Sequence, residues 1–92
     1  MPIKIYRQKT TEEIAWICDG VWDLPNQIAG LGKWLESEAK LLQKDEYVID
    51  IGFDIQPDST GGGAVIDSKL MKMMADKGFD LYLSEYPNQL KD

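Results

Sequence analysis

The chain contains no histidine. That absence removes the one side chain that ordinarily changes charge between about pH 5 and 8. With it go the most frequent metal ligand and every Ser-His or Cys-His nucleophile. The single cysteine, Cys18, cannot close an internal disulfide, and one thiol without imidazole leaves a zinc ion short of ligands. Cys18 is followed by Asp19 and has no cationic neighbour in sequence, so it reads as a structural thiol. No apolar run approaches the roughly 18 residues that span a bilayer. Met1-Pro2-Ile3-Lys4 opens without a signal-peptide core, so the expected location is the cytoplasm. Basic residues are also scarce, with 10 Lys and Arg against 16 Asp and Glu and a net charge of -6. Such a surface repels phosphates, which argues against direct nucleic-acid contact and favours a basic protein partner. The plainer use of that charge is solubility.

The most informative stretch present is Tyr47 to Gln56. Tyr47, Ile49, Ile51, Phe53 and Ile55 alternate with smaller or polar residues, so on a strand they form one apolar row. Asp50, Gly52, Asp54 and Gln56 then look the other way. A chain of 92 residues with 43 % apolar and 28 % charged residues fits one domain, 1–92, with one core.

Ile3-Lys4-Ile5-Tyr6-Arg7 alternates and predicts a first strand. Glu13 to Cys18 predicts a second, more uniformly apolar, with both faces partly covered and a hairpin turn between the two. Asp23-Leu24-Pro25 has the form of a helix start, an oxygen to accept from free amides and a proline where no donor is needed. Leu24, Ile28, Leu31, Leu35, Ala39 and Leu42 then trace an apolar stripe about five turns long, widened by Trp34 and Leu41. Gly30 and Gly32 fall inside it, each costing about 1 kcal/mol relative to Ala. They either let helix and sheet approach closely or mark a break near Lys33, and the unbroken stripe favours one continuous helix.

After the central strand, Pro57 to Gly63 is a turn by composition, and Ala64-Val65-Ile66 predicts a short fourth strand. Asp67 predicts the cap of a second helix with Ile66 stapled to Met71, and Leu70, Met73 and Met74 supply its apolar face. Gly78 sits where a left-handed terminator is wanted, with Phe79 folding back on Met74. Asp80 to Tyr86 predicts the last strand. The expected fold is an α+β two-layer sandwich, order β-β-α-β-β-α-β, with a largely antiparallel sheet of four or five strands and both helices on one face.

The other face would carry Lys4, Tyr6, Val48, Asp50, Asp54, Tyr82, Ser84 and Tyr86. Asp50 and Asp54, four apart, stand at a Cα separation of roughly 13 Å. That exceeds the reach of a shared proton or one metal, and the at most about 9.5 Å of paired glycosidase carboxylates. They read as solvated charges or as an acidic stripe on a binding face. Gly61-Gly62-Gly63 raises a phosphate cradle, but no Lys-Ser or Lys-Thr follows, and Asp58 and Asp67 flank it. Most of the rings Tyr6, Trp16, Trp22, Trp34, Tyr47, Tyr82 and Tyr86 are expected in the core. Trp22, Tyr82 and Tyr86 are those least accounted for by burial, and exposed rings bordered by acids suit protein recognition.

The segment Tyr47 to Tyr86, a strand ending before Pro57, then Gly61-Gly62-Gly63, a helix with Leu70, Met73 and Met74, and Asp80-Leu81-Tyr82-Leu83, resembles the C-terminal half of small bacterial domains of unknown function. The resemblance covers less than half of the chain and implies the strand, helix, strand order without an active site. In size and charge the chain is similar to toxin-immunity proteins and phage-encoded inhibitors of bacterial defence. The expectation is a non-enzymatic binding module with no cofactor and no membrane contact. It would meet a basic, nucleic-acid-handling protein through Asp50, Asp54, Tyr82 and Tyr86, with Trp22 at the rim. Two other readings are a homo-oligomer, pairing the same face or an edge strand with a second copy, and a small-molecule or nucleotide regulator using Gly61 to Gly63.

Overall fold

The computed structural model describes residues 2–55 and 63–86. Strands β1 (Ile3–Arg7) and β2 (Glu13–Ile17) form an antiparallel hairpin, and helix α1 (Leu24–Ser37) follows. A 3-10 turn (Ala39–Leu41) leads to β3 (Tyr47–Asp54), then helix α2 (Ser68–Lys77) and β4 (Phe79–Tyr86). The sheet order is β2-β1-β3-β4, with β1 antiparallel to β3 and β3 parallel to β4. The sheet is therefore mixed, not largely antiparallel.

The expected strand at Ala64 to Ile66 does not form, and that single change accounts for the altered topology. One helix between two adjacent strands returns the chain to its starting edge, so β4 runs parallel to β3 as a β-α-β crossover requires. Val65 is instead exposed, and Ile66 turns inward beside the core at the approach to α2.

Both helices cover the face carrying the odd-numbered residues of β1 and β3. Ile3, Ile5, Tyr47, Ile49 and Ile51 meet Leu31 and Leu35 of α1 and Leu70 and Met74 of α2 in one cluster closed by Ala39 and Phe79. Phe79 stacks on Tyr47 at 4.8 Å and meets Trp34 edge-on at 6.0 Å. Each helix begins as its cap residue dictates, with Asp23 accepting from the Asn26 amide at 3.2 Å and Asp67 from the Leu70 amide at 2.9 Å. The staple expected between Ile66 and Met71 is absent, because Met71 points outward and is exposed.

α1 stops at Ser37, short of the five turns that the apolar stripe suggests. The chain must turn toward β3 there. It does so in the 3-10 turn, which keeps Ala39 in the core and leaves Leu41 exposed. The Lys77 ammonium donates to the Leu42 carbonyl, which stabilises this corner. Gly30 does not break α1. A Cβ there would lie 2.5 Å from the Cys18 sulfur, so glycine admits the thiol against the helix. Gly78 ends α2 at φ 93°, the left-handed conformation that the sequence predicts.

Candidate functional site

Strand registration places Glu13 and Trp16 of β2, Lys4 and Tyr6 of β1, Val48, Asp50, Gly52 and Asp54 of β3, and Asp80, Tyr82, Ser84 and Tyr86 of β4 on the face opposite the helices. Lys4 lies opposite Trp16 on one side and Asp50 on the other, and Asp50 lies opposite Tyr82. No helix of the described residues covers this face. Trp16 is 46 % and Tyr82 42 % exposed. Val48 is buried nonetheless.

The side chains are tied to one another. The Ser84 hydroxyl donates to Asp50 Oδ1 at 2.8 Å, across the β3–β4 seam. The Lys4 ammonium stands 5.5 Å from the Tyr6 ring centroid and 5.7 Å from that of Trp16, where the π faces attract it. Burial, and then the neighbouring Asp50 carboxylate and Tyr82, push the Tyr6 hydroxyl above its ordinary pKa.

At one end β3 outruns β1, and its free backbone groups find substitute partners. The Gly52 amide still reaches the Pro2 carbonyl, but the Asp54 amide donates instead to the Trp22 carbonyl at 3.0 Å. The Gly52 carbonyl accepts from Gln27 Nε2 at 2.7 Å, and the same amide bonds the Val21 carbonyl at 2.7 Å. Gln27 is fully buried. Trp22 is thereby held beside the last residues of the sheet, where its ring meets Tyr86 edge-on at 5.8 Å.

Asp50, Asp54, Tyr82 and Tyr86 therefore share one face, with Trp22 at its rim. Asp54 Oδ1 is buried and has no hydrogen-bond partner among the described residues. Trp16 is the residue that the sequence reading misplaced. β2 is covered on its helix side only, because the described residues form no second layer on the other face. The expectation that most rings are core is overturned for the same reason. Of the seven, Tyr47 and Trp34 pack on the helix side, while Tyr6, Trp16, Trp22, Tyr82 and Tyr86 belong to the open face or its margin. The alternation of Trp16 with Ala15 and Ile17 was the available signal. Gln27 carried none, since its role depends on where β1 ends.

No family model, curated protein or solved structure matches the chain. Four carboxylates, Glu13, Asp50, Asp54 and Asp80, share the open face with one ammonium, Lys4, which two rings already engage. Such a face attracts cations, and its rings add flat apolar area for guanidinium groups to stack on.

The helix side offers a different surface. A cleft of about 300 Å³ lies between α1 and α2, lined by Ile28, Leu70 and Met73, and the Lys69–Glu36 ion pair lies at its margin at 3.9 Å. Its charges are mixed, so it has no sign preference. Gly61 and Gly62 lie outside the described residues, and Gly63 is exposed at φ 111°. Among the described residues no group of three Cys, Asp or Glu is assembled as a metal centre needs, and no helix is long and apolar enough to cross a membrane.

Proposed function

We propose that the protein is a non-enzymatic binding module whose open sheet face docks onto a basic segment of another protein. It would act as an inhibitor or immunity-type factor that occupies the surface by which a nucleic-acid-handling partner holds phosphates. The observation that carries this reading is the four-to-one excess of carboxylates over ammonium on a face that also displays Trp16, Tyr6, Tyr82 and Tyr86. Acidic groups steer a cationic partner and fix its register, while rings and the carbon stems of Arg supply buried area. Asp50 is the central contact, held by Ser84 so that its second oxygen can accept from an arriving guanidinium. Asp54, Tyr86 and Trp22 form one end of the footprint.

An arginine-rich peptide titrated into isotope-labelled protein tests this directly. The expected result is amide shifts concentrated on Asp50, Tyr82, Ser84 and Trp16, weakening as salt rises because exposed ionic contacts are screened over about 10 Å at 0.1 M. Shifts confined to α1 and α2, or binding insensitive to salt, would refute the assignment.

A further inference from the structure

We infer that β4 is a self-association strand, pairing antiparallel with β4 of a second copy about a two-fold axis at Tyr82. Among the described residues β4 has a neighbour on one side only. The Tyr47 amide donates to the Gly78 carbonyl at 3.1 Å while Tyr47 lies opposite Phe79. In a parallel ladder that phase turns the backbone groups of Asp80, Tyr82, Ser84 and Tyr86 toward β3. Those of Phe79, Leu81, Leu83 and Glu85 consequently point out of the sheet edge.

This edge carries two charges, Asp80 and Glu85, but lacks the stronger forms of protection. Edge strands are ordinarily short, kinked, or guarded by Lys or Pro. β4 runs eight residues without either and pairs with β3 without a register shift. Leu83 on it is 56 % exposed. The opposite edge, β2, has five residues and a register shift against β1 between Ile5 and Tyr6. Only one of the two edges is therefore open to extension.

The occupant is a second copy because the sequence of β4 is complementary to its own reverse. Centred on Tyr82, the pairing sets Tyr82 against Tyr82 and Leu81 against Leu83. Asp80 then meets Ser84 and Phe79 meets Glu85, so no acid faces an acid although both copies are acidic. All four outward residues find outward residues opposite, and each such pair exchanges two hydrogen bonds. A register centred on Leu83 would carry Phe79 past the end of the partner's β4. An axis perpendicular to the sheet leaves both open faces on the same side, which joins two acidic, aromatic surfaces into one.

Light scattering over a wide concentration range, in high salt to screen the net charge, should show mass rising toward twice that of the chain. With Cys18→Ser as background, Tyr82→Cys should form an intermolecular disulfide in a glutathione buffer. A directly opposed non-hydrogen-bonded pair has Cα atoms about 4.5 Å apart, within disulfide range. Leu83→Cys in the same background should cross-link far less. Leu83→Pro removes an outward amide and spares the β3 ladder, so it should yield a folded monomer, and Leu83→Lys serves if the proline variant does not fold. A monomer at every concentration overturns the inference, and efficient cross-linking through Leu83→Cys alone overturns the register. Asp50→Asn should leave the dimer intact, so loss of partner binding and loss of dimer are separable.

Discussion

Gly78 shows how much one residue can hold in place. It caps α2 in a left-handed conformation, and a Cβ at this position would lie 1.9 Å from the Asp45 carbonyl oxygen, where the segment entering β3 passes beneath. Gly78→Ala therefore combines a strained φ with a backbone clash, and should lower unfolding free energy by about 1–3 kcal/mol in urea titrations. Gln27 is a second such residue. Gln27→Leu would leave the Val21 and Gly52 carbonyls without their shared donor. A loss of about 1–3 kcal/mol is expected, because a buried acceptor without its partner is left desolvated. Tyr6 reports on the open face itself. Its hydroxyl loses its proton at a higher pH in the folded chain than in the unfolded chain, through burial first and Asp50 second. Its contribution to stability is thus complete below the unfolded value of about 10 and declines as pH rises through the folded one. Phenolate absorbance should show a late-titrating tyrosine, advanced by Asp50→Asn.

At the scale of elements, α1 and β2 are coupled through one glycine. Gly30 costs helix stability by propensity, yet it faces the Cys18 sulfur, which stands at φ 56° just past β2. Gly30→Ala alone should bring little or no gain, since the thiol must move. In a Cys18→Ala background the same change should recover up to about 1 kcal/mol of helix propensity. The sign and size of that difference in a double-mutant cycle measure the contact. The other element-scale dependence lies between β3 and the loop before α1. Because β3 extends beyond β1, the Trp22 carbonyl and the Gln27 amide complete its hydrogen bonding. The same arrangement brings Trp22 to Tyr86. Rim and sheet edge are therefore built by one feature, the unequal length of two strands.

Over the whole molecule, the layers separate two kinds of surface. The helix side gathers the core and leaves a cleft of mixed charge, whereas the open side gathers carboxylates and rings. If that face carries binding, Asp50→Lys with Asp54→Lys should abolish association with an arginine-rich peptide, read by calorimetry. Tyr82→Ala should weaken it by about 1–3 kcal/mol, roughly thirtyfold at the centre of that range. Far-ultraviolet circular dichroism should remain native in the tyrosine variant, because Tyr82 projects from the sheet and supports no buried neighbour in the core cluster.

The alternating pattern from Tyr47 onward, the Asp caps and the terminating Gly78 are local signals. Strand period, free amides and left-handed backbone are properties of a few consecutive residues, so one sequence suffices to place the elements they mark. The membership of the open face also followed, since alternation sorts side chains before any strand finds its neighbour. Tertiary structure alone decided the parallel pairing of β4, the early end of α1 and the burial of Gln27. Each depends on where a distant segment lies: which edge α2 returns to, how far Ala39 reaches into the core, and where β1 ceases to satisfy β3. Trp16 is divided between the two: its alternation with Ala15 and Ile17 sorts it to the open face, whereas its exposure depends on the described residues placing no second layer there.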